Sequence, residues 1–479
     1  MNNIDPRMTM TFALLRVPIF AAMLAGAGLP SLSANIQPAP PSPESTTMDS
    51  TRPDRPHSLP ILPRRPNIIL ITVDGLGYGD LGCYGQRNIK TPNLDELATG
   101  GIKFITFYVG SPVASMSRQT LLMGRHSGHI NDLTASSAPN LAQLLKIYGY
   151  HTTCVGLWGL TSTPQRNGFD EWLGFLTEAE ASEAYPSRIW RFDPASRIGE
   201  NGQLQDFEGV VELDGRSRSA TEIFTTAAVN FIKIKKPDRF NKFRPFFLYL
   251  SYPSPRIVAT NDLAPFENEP WPVAEKAKAA SIARLDADVG KIMQTLKDLK
   301  QESNTFIIFT SVCGPKKTGG SDPIFHRSPG GLHWTEDDEL LEGNLRVPCI
   351  VSCPSKVGAN SQSDQLWAAW DIFPTLADIG MAQLPRGLDG HSLLSRLNDS
   401  AQTNCHEYLY WEDRSGGNIR QAVRTDDWKA IITQPAGQKE LFNLKTDTAE
   451  KNDLAKHQPE ELEKLETIAN QFQAAPKAP

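Results

Sequence analysis

The chain has 479 residues, a hydrophobic fraction of 40%, a charged fraction of 21% and a formal net charge of −6. This is an ordinary composition for a soluble globular protein, with room for one large domain and a smaller one. The acidic balance argues against nucleic acid and offers no polybasic membrane patch, and no run of about 18 apolar residues is present to span a bilayer.

At the N-terminus, Arg7 and Arg16 precede the apolar stretch VPIFAAMLAGAGL (17–29), and the small residues Ser31, Ser33 and Ala34 follow. That order predicts a secretory signal over 1–34, cleaved near Ser33 or Ala34, and hence a secreted or periplasmic protein. Residues 35–65 are rich in Pro, Ser and Thr. Proline fixes φ and lacks an N–H, so this stretch predicts an extended linker.

From Pro66 onward, apolar runs alternate with helical patterns. NIILITV (67–73) is continuously apolar and stops at Asp74-Gly75, as a buried parallel strand does. TPNLDELATGG (91–101) predicts a helix with Thr91 as N-cap, Pro92 in the first turn and glycines at the end. APNLAQLLKIYGY (138–150) predicts a second helix feeding the strand HTTCVGL (151–157). ATEIFTTAAVNFIKIKK (220–236) predicts a third, feeding PFFLYLSY (245–252). The three- and four-residue spacing of Ile282, Leu285, Val289, Ile292, Leu296 and Leu299 predicts a fourth, feeding TFIIFTS (305–311). Such repetition implies an α/β domain over 66–395, with an open, mostly parallel sheet flanked by helices. After it, EYLYW (407–411), IRQAVRT (419–425), WKAIIT (428–433) and KELFNL (439–444) read as an antiparallel meander closed by the helix PEELEKLETIANQF (459–472). They predict a small C-terminal α+β domain over 396–475.

The six cysteines, at 83, 154, 313, 349, 353 and 405, do not fall at zinc spacings and are few for a disulfide scaffold. Cys349 and Cys353 share one strand-like run, which would hold them about 13 Å apart, too far to bridge. Core thiols are expected.

Several stretches resemble, in order, landmarks of the sulfatase family of the alkaline-phosphatase superfamily. They are NIILITVDGLGYGDLGCYG, SPVASMSRQTLLMGRHSGH, GYHTTCVGLWGL, FFLYLSYPSPR, FTSVCGP, LEGNLRVP and the C-terminal HEYLYWE, QAVRTDDWKAI and LFNLKTDTAEKNDLA. The nearest flavour is the secreted bacterial arylsulfatase and N-acetylgalactosamine-6-sulfatase-like group. The resemblance implies an alkaline-phosphatase-like sulfatase fold. It also implies hydrolysis of sulfate esters by a cysteine matured to formylglycine, with a Ca²⁺ ion holding the sulfate oxygens.

The residues depart from that pattern at the chemistry. The family's Cys-x-Pro-x-Arg motif falls on Ala114, Ser115, Met116, Ser117 and Arg118. Alanine has no heteroatom to oxidise or to attack with. The family's four metal-ligand positions are Asp74, Gly75, Val312 and Cys313, so one carboxylate stands where Ca²⁺ wants six to eight oxygens. The lysine and histidine of the "GKWHLG" segment fall on Leu157 and Gly159. A further family histidine falls on Arg256, and a lysine on Asp337 within the acidic run 336–339. Once an ion is lost, replacing buried carboxylates by apolar groups can be neutral or stabilising, so these losses agree with one another.

What remains reads as scaffolding. Asp74 is expected to close the strand-ending turn by bonding its own backbone. Arg118 is expected to pair with a local carboxylate. His126 and His129 are expected to be structural, and the acidic run a solvated loop. Arg118 and Arg256 together could still hold one anionic group weakly. The leading expectation is a secreted, non-catalytic homologue serving as a binding or partner module. No metal or other cofactor is expected, and the ligand would be a weakly bound sulfated glycan or an unidentified protein. The alternative is an active sulfuric ester hydrolase with Ser115 or Ser117 as a displaced nucleophile. A residue turns about 100° on a helix, which predicts that Ser115 points away from the pocket. A two-metal phosphatase needs a histidine and aspartate ligand set, and His151, His326 and His333 are isolated in sequence.

Overall fold

The computed structural model describes residues 65–130, 138–194, 203–206, 218–255, 263–397, 405–414 and 418–473. The expected signal, nearly all of the linker, and Arg256 lie outside the described residues.

In chain order the elements are β1 (Asn67–Asp74), α1 (Pro92–Thr99), β2 (Ile102–Phe104), β3 (Phe107–Tyr108), α2 (Ala114–Met123), α3 (Leu141–Ile147), β4 (His151–Leu157), β5 (Glu171–Phe175), β6 (Arg188–Phe192), β7 (Gln203–Asp206) and α4 (Ala220–Lys235). There follow β8 (Phe246–Pro255), α5 (Val273–Asp298), β9 (Thr305–Ser311), α6 (Glu342–Leu345), β10 (Cys349–Ser352), β11 (Ser361–Ser363), β12 (Trp367–Ala368) and α7 (Ile372–Ile379). The C-terminal part is β13 (Leu409–Asp413), β14 (Ile419–Arg424), β15 (Trp428–Gln434), β16 (Gln438–Asn443) and α8 (Pro459–Gln473).

Ten strands form one sheet in the order β11-β2-β10-β9-β1-β8-β4-β5-β6-β7. The central five, β9 through β5, run parallel. Both flanks turn antiparallel, at β10 and at β6. Every residue of β1 is buried, because helices cover both faces of its strand. Side chains alternate along a strand, so β1 feeds two cores. Ile68 and Leu70 join α2, α3 and α7 on one face. Ile69, Ile71 and Val73 join α1, α4 and α5 on the other.

Helix starts follow local chemistry. Asn140 with Gln143, and Ser219 with Glu222, each close a reciprocal capping box. Thr91 departs from expectation. It occupies the cap position of α1 without capping it, because its hydroxyl accepts from the Gly82 N–H (2.8 Å) and donates to Asp95 (3.2 Å).

β13 to β16 form a four-stranded antiparallel sheet in sequence order. Alternate residues again serve two neighbours. Tyr410, Val423, Ala430 and Ile432 pack on α8, while Leu409, Trp411, Ala422 and Ile431 belong to the core of the large sheet. Trp411 fixes the junction by donating its indole N–H to the Val109 carbonyl at 2.8 Å. All six cysteines are free thiols, four of them buried.

Candidate functional site

Because β1, β4 and β9 are parallel, their carboxyl ends meet at one edge of the sheet, where an α/β crevice forms. The loops after β1 and β9 are laced together there. The Val312 N–H donates to the Val73 carbonyl (2.9 Å), the Gly75 N–H to Cys313 Sγ (3.2 Å), and the Leu76 N–H to Ser311 Oγ (3.3 Å). Gly75 has φ +74°, the turn that brings the chain back from β1.

Helix α2 begins at this edge with Ala114, and Arg118 follows one turn later. Arg118 is fully buried and reaches beneath the crevice. Its Nη2 lies 2.6 Å from both Asp74 oxygens, and its Nη1 lies 3.4 Å from Glu178 Oε1. Burial works against the charge on this guanidinium, but the adjacent Asp74 carboxylate outweighs it and raises the pKa above the usual arginine range. Gly159 (φ +65°) makes the room: a Cβ there would stand 2.7 Å from Arg118 Nη1. A second buried cation, Lys278, donates to the Gly75 carbonyl at 3.2 Å. Burial lowers its pKa, with Asp80 the main opposing influence.

These residues do not fit a calcium ion. The four ligand positions supply one carboxylate, whose two oxygens already accept from a guanidinium. Gly75 contributes no side chain, Val312 is apolar, and Cys313 is a soft donor that calcium disfavours. The group that meets the Asp74 carboxylate is the chain's own Arg118. Asp74 therefore does more than close a turn, contrary to the sequence expectation, and it is the carboxylate with which Arg118 pairs.

Above this pair lies a cavity of about 800 Å³. Ala114, Gly159 and Cys313 border it, as do Ser115, Lys316, Lys317, Glu178 and Glu339. Ser115 thus faces the cavity, against expectation: both first residues of α2 border the open space at its N-terminus, so the helical rotation does not remove the second. Ser117 does not face the cavity; it is buried and its Oγ accepts from the Gly110 N–H at 3.1 Å. Leu157 packs in the apolar core and Val312 is buried, so neither position borders the cavity. Asp337 is exposed on its loop, and the acid that reaches the cavity is Glu339, two residues on.

The cations around the cavity are matched by acids. Lys316 pairs with Glu339, and Lys317 pairs with Glu336 at 3.1 Å. Arg118 does not border the cavity and is engaged by Asp74 and Glu178, so it does not stand with Arg256 as the expected arginine pair requires. Sequence reading missed the two lysines, although their place just after the carboxyl end of a central parallel strand is where such sheets bind ligands. Among the described residues, no histidine borders this cavity.

His126 and His129 lie elsewhere, with Asp389. Their rings stack 4.4 Å apart, and His129 Nδ1 is 2.9 Å from Asp389 Oδ1. The three residues are close enough to surround an ion. However, His126 Nδ1 accepts from the Gly128 N–H (3.2 Å), so its Nε2 carries the proton and faces Asp389 at 3.7 Å. That is the pattern of a hydrogen-bonded corner rather than a ligand set.

A centrally parallel sheet, a helix opening at the carboxyl ends of its strands, and a small antiparallel sheet packed on the same core define a protein of the alkaline-phosphatase superfamily. The chain belongs to the sulfatase family. The Sulfatase family model matches residues 66–380, and the model for the N-sulphoglucosamine sulphohydrolase C-terminal region matches 330–475. The chain is 30% identical over 400 residues to N-acetylgalactosamine-6-sulfatase of Sus scrofa, covering 77% of this chain and 72% of that one. It is 27% identical over 497 residues to N-acetylgalactosamine-6-O-sulfatase of Bacteroides thetaiotaomicron, covering 85% and 92%. Among solved structures it is similar to Ps i-CgsB in complex with k-i-k-neocarrahexaose, with a TM-score of 0.68, 26% identity, and coverage of 86% and 93%.

Proposed function

We propose that this chain is a secreted, non-catalytic member of the sulfatase family that serves as a binding or partner module. The observation that carries the reading is the Arg118–Asp74 pair, which fills the role of the family's metal with a side chain. Ala114 at the nucleophile position supplies no attacking atom. The substrate class suggested by the relatives' names, a sulfated saccharide, becomes a weak ligand here. A sulfate must exchange its water for donors, and the lysines bordering the cavity are already paired with acids. Binding is expected in the millimolar range, about −4 kcal/mol, and to vanish in high salt because exposed charges are screened.

A second reading rests on Ser115, which of the two serines considered, Ser115 and Ser117, is the one that borders the cavity. It needs a base, and the acids bordering the cavity are engaged by Arg118 and Lys316. Assays on 4-nitrophenyl sulfate and 4-nitrophenyl phosphate separate the two. No turnover above a blank is expected, and robust hydrolysis abolished by Ser115→Ala would establish the second reading instead.

A further inference from the structure

The segment KIKKPDRFNKFR (233–244) joins α4 to β8 at the amino end of the sheet, the edge away from the cavity. It carries six basic residues and a single acid, Asp238, in a chain whose net charge is negative. Its order is regular. Lys233, Arg239 and Lys242 are exposed, and each is followed at once by an exposed apolar residue: Ile234 (66% exposed), Phe240 (78%) and Phe243 (54%). Nearby Ile147, at the end of α3, is 71% exposed.

The loop is built to hold these side chains outward. Asp238 Oδ1 accepts from the backbone N–H groups of Phe240 (2.9 Å) and Asn241 (3.0 Å). Asn241 Nδ2 donates to the carbonyls of Ile234 (2.8 Å) and Lys236 (3.0 Å). Arg244 anchors the loop to the turn after α3 through the carbonyls of Gly149 (3.0 Å) and Tyr150 (3.1 Å). Lys242 and Phe243 both take the left-handed conformation, at φ +52° and +55°. Two successive non-glycine residues there are strained, and such strain concentrates at working surfaces.

We infer that this end of the molecule docks on an anionic lipid surface. Cations alternating with apolar side chains suit a headgroup layer, where phosphates meet the cations and the apolar tips enter the acyl boundary. A glycan fits less well. Sugars stack on open ring faces, but the Arg239 guanidinium lies over the Phe240 ring at 4.8 Å, and Ile234 offers no ring. Two further cations are neutralised within the protein, Lys235 by Glu171 (3.2 Å) and Lys236 by Asp238 (3.5 Å), which leaves the exposed three as the contacts. Whole-chain acidity conceals this local excess, and the reading from net charge that no basic membrane patch exists is corrected accordingly. β8 starts at the loop and runs towards the cavity edge over ten residues, so docking leaves the cavity about 30 Å away and open to solution. The inference is independent of whether the cavity is catalytic.

The test is co-sedimentation of the full chain with phosphatidylcholine vesicles, with and without phosphatidylglycerol, at low and high salt. Binding only to phosphatidylglycerol vesicles, and only at low salt, is expected. Phe240→Ser with Phe243→Ser, and separately Lys233→Ser with Arg239→Ser, should each weaken it at least about tenfold with the melting temperature unchanged. Equal binding by parent and variants, or no vesicle binding by the parent, overturns the inference. So does capture of chondroitin sulfate through these residues while vesicles are ignored.

Discussion

Two clusters of buried charge in this protein are finished to different degrees. At the junction with the small sheet, Lys429 lies 3.1 Å from Glu342 Oε1 and 2.8 Å from Glu450 Oε1. The remaining oxygens are also met: Tyr108 donates to Glu342 Oε2 (2.9 Å), and the Glu342 N–H donates to Glu450 Oε2 (2.7 Å). Under the cavity, one nitrogen of Arg118 serves both oxygens of Asp74, where a guanidinium can offer two parallel donors. Arg118 Nε has no hydrogen-bond partner among the described residues. A network selected to hold two sheets together is saturated. The pair under the cavity neutralises charge and leaves a donor unmet among the described residues.

The largest effect should come from the saturated cluster. Lys429→Met strands two buried carboxylates and should cost about 3–5 kcal/mol of stability, read as a lower urea midpoint; a loss below about 1 kcal/mol would break the comparison. Arg118→Met should cost about 3 kcal/mol, because the buried Asp74 carboxylate loses its guanidinium partner, whereas adding Asp74→Asn should recover most of that loss. If the double variant is as unstable as the single one, the pair is structural in its own right and the contrast fails.

The junction also contains a pH-sensitive group. His126 packs edge-on against Tyr410 and Phe472. Burial pushes its pKa down to about 4, with His129 and His406 adding to the fall and Asp389 opposing it. Its folded value lies below the unfolded value near 6.5, so its contribution is fully present above that pH. It is lost as pH falls towards 4, by at most about 3 kcal/mol. His126→Gln should flatten that limb of a stability-against-pH curve. His406 works in the opposite sense: burial lowers its pKa, but the Asp371 carboxylate 2.9 Å away outweighs that and raises it. The smallest expected effect is that of calcium. A bound ion at a hundredfold excess over its Kd would add about 2.7 kcal/mol, yet neither Ca²⁺ nor a chelator should move the melting temperature. A calcium-dependent rise that disappears in Asp74→Ala would show that the pair opens to admit metal.

Much of the architecture could be read from the chain because the central strands are long and apolar. β1, β4, β8 and β9 need no alternation to be recognised, and the turn residues between β14 and β15 punctuate the meander. The shortest strands escaped notice. IKF, FY, SQS and WA are two or three residues long, too short to show a period, and they pair with distant partners such as Ser361 with Ile102. At the site, the side-chain partners were not legible in the sequence. Arg118 and Asp74 are 44 residues apart, and only the packing of α2 on the sheet end brings them together. The helical wheel misplaced Ser115 because it describes a helix's side, whereas the cavity lies at its end. In the acidic run the sequence could not say that Glu339 rather than Asp337 reaches the cavity, since a loop has no periodicity to fix which side chain points inward.

Gly159 has a consequence for single substitutions. A Cβ there would stand 2.7 Å from Arg118 Nη1, so a side chain can enter only if the guanidinium shifts. A histidine at position 159 alone would collide with it. Arg118→Met alone would take from Asp74 its guanidinium partner. Ala114→Cys alone would place a thiol at the cavity and leave both neighbours as they are. The three positions are interlocked, and a change at one is best tolerated when the others change with it.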